Sequence, residues 1–224
     1  MPAALEEQTR DRLLAAAGEV FAEHGFEGTT VRQICARAGA NVASVNYHFR
    51  DKMALYLAVL ENSICAASPA NIRRLVAEAD SPERALTEMI RHILGQMYNK
   101  GERDAWHVRI MAHELAHPTT ALDLVIQKVI GPNYAAMRGV ISRIVGLPPD
   151  HDTTRLCAHS VVAQVVHYAH ARPVIARLWP DLELTAERID QIAAHIAQFS
   201  LDSLHALAKR MKDEKRMSDE RKHP

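Results

Sequence analysis

The sequence predicts an all-α fold: an N-terminal three-helix domain containing a helix-turn-helix, followed by a helical C-terminal domain. Apolar residues recur at three- and four-residue spacing between the Gly and Pro breaks, as on one face of a helix. Residues suited to helix ends stand where those segments start and stop, among them Thr30 three before Gln33, Gly39, Asn41 and Ser81-Pro82-Glu83. Composition agrees, since the chain is 48% hydrophobic but only 5% aromatic and has few Gly or β-branched runs.

Met1 to Gln8 is a polar lead-in. Thr9 to His24 places Leu13, Leu14, Ala17, Val20 and Phe21 on one helix face, and Gly25 ends it. Thr30 and Gln33 form a capping box for the next helix, whose apolar face is Val31, Ile34, Cys35 and Ala38. Gly39 stops it. Gly39-Ala40-Asn41 then turns the chain, and Asn41 caps a short helix over Val42 to His48. Asp51 caps a longer helix that runs from Lys52 through Leu55, Tyr56, Val59, Leu60 and Ile64. The pattern breaks at Ser68-Pro69, so residues 1–68 are expected to form the first domain, with a linking helix from 52.

Residues 69–211 are expected to form the second. Ser81-Pro82-Glu83 opens a helix over Arg84 to Tyr98, closed by Asn99-Lys100-Gly101. Asp104 to His117 follows and is stopped by Pro118. Thr120 can cap Leu122 to Ile130, which Gly131-Pro132 interrupts before the run resumes to Val145. Beyond Gly146-Leu147-Pro148-Pro149 lie helices over Thr153 to Ala171 and Thr185 to Met211, joined by a connection from Pro173 to Pro180. The charged segment 212–224 lacks apolar periodicity and reads as a disordered tail.

Two short helices joined by a three-residue Gly-containing turn are the geometry that lays its second helix in the DNA major groove. Val42, Ala43, Ser44 and Asn46 are small or polar there, suited to base edges, where Asn pairs with adenine and methyl groups touch thymine. Lys52 stands in the first turn of the following helix, where the macrodipole disfavours a cation unless an anion is also bound. A DNA phosphate would supply that anion, with Tyr47 and His48 beside it. Thr30, Arg32 and Asn41 complete the expected DNA-binding set.

Thr30, Ile34, Ala38 and Gly39, followed by Tyr47, His48, Phe49, Arg50 and Lys52, resemble the N-terminal domain of the tetracycline-repressor (TetR) family of bacterial transcription regulators. The variant GANVASVNYHF, and HPTTALDLVIQKVIGP further on, resemble the CecR-like branch of that family. Ala40, Asn41, Ala43 and Asn46 depart from residues common in the family, which bears on which operator is read rather than on DNA binding. The resemblance implies a homodimeric regulator on a palindromic double-stranded operator, most often a repressor released by a small effector bound in the C-terminal domain. For the CecR-like branch it implies control of transport or efflux-type genes. An activator or a ligand-independent regulator is the alternative.

Length and charge bound this reading. The 224 residues suffice for one or two domains with a sizeable core. The formal net charge is zero, so no global basic signature of a nucleic-acid binder exists, although Arg32, Arg37, Arg50 and Lys52 face only Asp51 between Gly28 and Lys52. Cys35, Cys65 and Cys157 are too few and too widely spaced for a disulfide framework and read as buried thiols in a reducing cytoplasm. Neither a signal peptide nor a run of membrane-spanning length is evident, so a cytoplasmic protein with no membrane partner is expected. No cofactor motif appears.

Two apolar stripes bear on assembly. Ile189, Ile192, Ile196, Phe199, Ser203 and Leu207 recur along the last helix, and Leu156, Ser160, Ala163 and His167 along the one before. Part of each stripe must line the chain's own core. The family resemblance implies that the two helices also pair with their copies in a dimer interface.

For an effector, Met89, Met97, Trp106, Ile110, Met111 and Tyr134 are adaptable or flat apolar side chains, and His107, His113 and His167 could add polar contacts. No cluster of unpaired charges stands out from Arg84 to Val145, so an apolar or weakly polar compound is expected. His113-Glu114-Leu115-Ala116-His117 is a literal HExxH, the pattern of a zinc hydrolase, with Asp123 six residues on. Pro118 ends that helix at once and Thr120 replaces the Gly that would return a third ligand to the metal, so no metal site and no enzyme are expected.

Overall fold

The structure, a computed structural model, describes residues 2–64, 68–98 and 106–222. All regular structure among them is helical: α1 (Pro2–His24), α2 (Val31–Ala38), α3 (Val42–Phe49), α4 (Lys52–Ile64), α5 (Pro69–Glu78), α6 (Pro82–Tyr98), α7 (Trp106–Ala116), α8 (Thr120–Val125), a π-helical turn (Ile126–Ile130), α9 (Gly131–Val145), α10 (Asp152–His170), α11 (Arg172–Leu178) and α12 (Ala186–Lys222). The all-α reading holds. Cys65, Asn99, Lys100, Gly101, Asp104 and the side chain of His107 lie outside the described residues.

Local chemistry sets the helix ends. The Thr30 hydroxyl accepts the Gln33 N–H at 3.3 Å while Gln33 Oε1 accepts the Thr30 N–H at 2.8 Å, so the box satisfies two backbone donors at the start of α2. Gly39 closes α2 at φ 61°, in the left-handed region that a side chain would strain. Asn41 Oδ1 accepts the Ser44 N–H at 2.9 Å and caps α3. Asp51 Oδ1 takes the Ala54 N–H at 2.8 Å and caps α4.

Four elements differ from expectation. Pro69–Glu78 is a helix, α5, that a short amphipathic run following a break concealed. The Pro173 to Pro180 connection contains α11, because Pro173 falls at the permitted second position of a helix. Thr119, not Thr120, caps α8, and the interruption before Gly131 takes the form of a widened π turn rather than a break. Residues 212–222, read as disordered, continue α12 to Lys222 because Lys, Arg, Glu and Met favour helix even without an apolar face.

Packing divides the chain into two units, Met1–Ser68 with Lys100–Ile130, and Pro69–Asn99 with Gly131–Pro224. In the first, Leu13, Ala17, Phe21, Ile34, Val45, Leu55 and Tyr56 form a core that also takes in Ile110, Ala121 and Val125. Residues 69–211 are therefore not one packed block, since α7 and α8 bury against α1 and α4. Two glycines make that approach possible. A Cβ on Gly18 would meet the Trp106 ring at 2.9 Å, and one on Gly25 would meet His113 Nδ1 at 3.1 Å. The second unit builds its core from Leu86, Met89, Ile90, Leu94, Ile141, Val161, Ile189, Ala193 and Ile196.

Candidate nucleic-acid interface

The exposed face of the first unit begins with α3. Val45 and Phe49 are its buried residues and lock it to the core, which turns the rest of the helix outward. Val42, Ala43 and Asn46 are exposed, and Tyr47 is 72% exposed with its ring edge-on to His48 at 4.9 Å. Ser44 is half-buried, and its hydroxyl lies 3.0 Å from Asn41 Oδ1, so Asn41 and Ser44 first serve the cap. Thr30 and Arg32 are exposed at the start of α2. These are the side chains a groove-reading helix requires: short, polar or methyl-bearing, and in water.

The expected cations are distributed differently. Arg37 donates to Glu23 at 2.7 and 3.0 Å and to Glu19 at 3.4 Å, so it is neutralised on α1. Those bonds, the Arg37 hydrogen bond above all, hold the Glu23 carboxyl below its ordinary pKa. Lys52 Nζ donates to the carbonyls of Phe26 and Thr29, which offsets the unfavourable macrodipole from within the protein. Arg32 and Arg50 remain exposed. Arg50 has φ 74°, a costly conformation for a residue with a side chain, held at the junction of α3 and α4. Arg10 is a residue the sequence pattern did not single out. Its guanidinium lies 5.6 Å from the Phe49 ring centre, beside the end of α3, and only the tertiary fold brings it there.

Glu114 of the HExxH segment is 1% exposed and faces the aromatic centre of the first unit. Tyr56 donates to its Oε1 at 2.7 Å, Thr119 Oγ1 donates to Oε1 at 2.9 Å, and the Thr119 N–H donates to Oε2 at 3.1 Å. Tyr56 packs edge-on to Phe21 at 4.7 Å and against Phe26 at 5.0 Å. Both carboxylate oxygens are thus occupied in joining α4 to the start of α8. His117 is exposed and His113 packs on Gly25. Among the described residues no three His, Cys, Asp or Glu side chains gather as metal ligands.

Of the nine expected pocket residues, the side chain of His107 lies outside the described residues and the other eight divide between the two units. Trp106, Ile110, Met111 and His113 belong to the first unit, where Ile110 is core. Met89, Met97, Tyr134 and His167 belong to the second, where Met89 is fully buried and His167 exposed. The periodicity that marked them is that of helices facing two separate cores.

The stripes on α10 and α12 also divide. Ile189, Ile192 and Ile196 are 2%, 7% and 2% exposed in the single chain, so they are core residues and not interface residues. Leu156, Ser160, Ala163 and His167 on α10, and Phe199 and Ser203 on α12, are exposed, with Leu207 half-buried. Of these, Leu156, Ser160, Phe199, Ser203 and Leu207 line a groove of about 380 Å³ between the two helices, and Ala163 and His167 lie outside its lining. Ser160 and Ser203 donate to the carbonyls of Leu156 and Phe199, so the groove presents small side chains whose hydroxyls already have acceptors. Among the described residues no helix is long and apolar enough to cross a membrane.

Comparison with known proteins fits this architecture. The family model described as bacterial regulatory proteins, tetR family, matches residues 13–59. The model of the C-terminal domain of the HTH-type transcriptional dual regulator CecR matches residues 82–207. CecR of Shigella flexneri is 27% identical over 177 residues, covering 75% of this chain and 79% of that protein. The HTH-type transcriptional repressor NicS of Pseudomonas putida is 36% identical over 87 residues, covering 39% of this chain and 41% of that protein. Among solved structures, the transcriptional regulator FadR from Bacillus subtilis in complex with stearoyl-CoA superposes with a TM-score of 0.62 at 13% identity, covering 85% of this chain and 96% of that one. At that identity the likeness speaks for the fold alone.

Proposed function

The chain belongs to the TetR family of transcription regulators, with a CecR-type C-terminal domain, and from that premise we propose that it is a homodimeric, cytoplasmic repressor that leaves a palindromic operator when a small, largely apolar effector binds. One observation carries the DNA-binding part: α3 is anchored by Val45 and Phe49 and holds Val42, Ala43, Asn46 and Tyr47 in water. In this reading α3 enters the major groove and Asn46 contacts base edges. Thr30, Arg32, Asn41, Ser44, Tyr47 and His48 then lie along the sugar–phosphate backbone, and Lys52 adds positive charge behind them.

The α10–α12 groove, with Leu156 and Phe199 67% and 59% exposed beside it, supports pairing of two copies through that face. A two-fold dimer presents two copies of α3, which is why a palindromic site is expected. The effector would bind the second unit, where Met97 and Tyr134 are half-buried. It can shift the protein off DNA only by the difference in its affinity for the two states. The CecR-type domain favours transport or efflux-type genes as targets. Similarity to a dual regulator keeps activation as the second reading.

Selection of bound fragments from genomic DNA, followed by footprinting, tests the proposal. A protected palindrome is the expected result. Binding with no preferred sequence would overturn it.

A further inference from the structure

Arg10 places a cation at the C-terminal end of α3, through a contact that the helix-turn-helix motif does not contain. Leu13, Leu14 and Ala17 follow it on α1 by three, four and seven residues, and all three are buried in the core of the first unit. Arg10 therefore lies on the face of α1 turned toward α2, α3 and α4, one turn before that core begins. It is exposed, and its guanidinium carbon sits over the ring of Phe49, the last residue of α3, 5.6 Å from the centre. Among the described residues that guanidinium forms no ion pair and no hydrogen bond, although Glu6 and Glu7 stand a turn earlier on the same helix.

The end of α3 has need of such a cation. A helix in the major groove is flanked by phosphates, and the carbonyl end of α3 carries negative partial charge that repels them. Lys52, the motif's cation at this end, has two of its three N–H groups taken by the carbonyls of Phe26 and Thr29. Arg37 is neutralised by Glu19 and Glu23. Arg50 follows Phe49 directly and is exposed, but no contact among the described residues holds its side chain. Arg10 is held. The Phe49 ring is fixed in the core, so a guanidinium resting over it loses less freedom when an anion arrives and keeps its five N–H donors for that anion.

We propose that Arg10 is a DNA-phosphate contact, set at the C-terminal end of α3 by the Phe49 ring. This rests on the reading of α3 as the groove helix and extends the interface to α1. Phe49 is on the buried side of α3, so the contact falls beside that helix rather than in the groove beneath it. It meets the sugar–phosphate backbone and no base edge, and therefore adds affinity without sequence preference.

Fluorescence anisotropy of the full chain with a labelled duplex of random sequence, and with the selected operator, tests the contact across a salt series. Arg10→Met keeps an apolar side chain for the Phe49 ring and removes the charge. It should weaken binding to both duplexes by the same factor, roughly three- to tenfold, and lower the slope of log affinity against log salt by about one per subunit. Arg10→Gln should do the same, which guards against a fold effect of either variant, and Arg10→Lys should keep the slope. Arg12 bonds Thr9 and points about 200° away around α1. Arg12→Met removes the same charge and should change the slope by less than half as much. Variants of wild-type melting temperature that bind with wild-type affinity and slope overturn the contact. So does a loss of affinity at unchanged slope, which marks a structural role, or an equal slope change in Arg12→Met, which marks net charge alone. Wild-type protein with no preferred site sinks the operator reading, while the slopes on random DNA still decide the role of Arg10. Binding to neither duplex overturns both.

Discussion

Lys52 holds Phe26 twice: Nζ donates to its carbonyl at 2.8 Å and lies 4.2 Å from its ring centre. With the second bond to the Thr29 carbonyl at 3.0 Å, the ammonium braces the start of α4 against the turn between α1 and α2. The cation that motif spacing marked as a phosphate contact is therefore also a structural tie. Tyr56 packs against Phe26 at 5.0 Å and bonds Glu114, so α4 is continuous with α7 and the start of α8 through named contacts.

Replacing Lys52 with Met should lower the stability of the first unit by about 1–2 kcal/mol. This is the lower part of the range for charge-assisted hydrogen bonds, because the group is only half-buried. DNA affinity should fall for all sequences together. Arg50→Gly should instead relieve the positive φ and keep or raise the melting temperature, while also weakening DNA binding through the lost charge. Melting curves and filter binding at one salt concentration separate the two. An unchanged melting temperature in Lys52→Met would contradict the brace.

Asn46 is the side chain on α3 best suited to reading a base, exposed and unneeded by the cap. Asn46→Ala should relax choice at one or two operator positions, with a loss of about 1–3 kcal/mol of discrimination. The same change should leave the salt dependence as it was. Arg32→Ala should flatten that dependence by about one counterion per subunit and leave the preferred sequence intact. Binding across a randomised operator set at several salt concentrations reads both.

What was legible from sequence follows a physical division. Thr30, Gly39, Asn41 and Asp51 act within four residues of themselves, and each takes the capping role that its chemistry implies. Contacts distant in sequence were not legible. Arg37 looked free because its partners Glu19 and Glu23 lie on another helix, and Lys52 because its acceptors are backbone carbonyls. Periodicity marks a buried face without saying what buries it. Ile189, Ile192 and Ile196 therefore read as an interface seam although they face the chain's own core. The HExxH segment was ambiguous for the same reason until Tyr56 and Thr119 were seen on Glu114.

The division of the α12 stripe gives the oligomer test a control. Phe199→Asp with Leu156→Asp should yield folded monomers, since both side chains are exposed in the single chain. Ile196→Asp should instead unfold the second unit, because it buries an unpaired charge in a fully apolar core. Sedimentation velocity and circular dichroism should show a smaller but fully helical species in the first case only. Wild-type protein that sediments as a monomer at micromolar concentration would refute the proposed interface.

His170 should make stability sensitive to acid. Its folded pKa lies below the ordinary imidazole value of about 6.5, chiefly through burial and then through Arg172. Between the lowered value and 6.5 the unfolded chain binds a proton that the folded chain does not. Stability is therefore fully present above 6.5 and is lost as pH falls from there through the folded pKa. His170→Asn should remove that component. The difference between wild-type and variant unfolding free energies, followed from pH 8 downward in steps, should narrow below about 6.5. A constant difference would show that the group is not perturbed by folding.

Glu114 allows the regulator and the zinc-hydrolase readings to be set against each other in one experiment. In a hydrolase the glutamate of HExxH activates water, so Glu114→Gln would abolish peptide cleavage and spare the fold. Here Glu114 accepts from Tyr56 and twice from Thr119 while 1% exposed, so the amide would turn a donor toward one of these donors. Burial first, and then the bond to Glu114, raise the Tyr56 pKa, so its hydroxyl keeps the proton it donates at any ordinary pH. Glu114→Gln should therefore cost about 1–3 kcal/mol, and Tyr56→Phe about 1–2 kcal/mol. Their double mutant should fall short of the sum, because the two share a bond. Metal analysis of the purified wild-type protein should find no stoichiometric zinc. Stoichiometric zinc together with a fully stable Glu114→Gln would transfer this segment from the architecture of the first unit to a catalytic site.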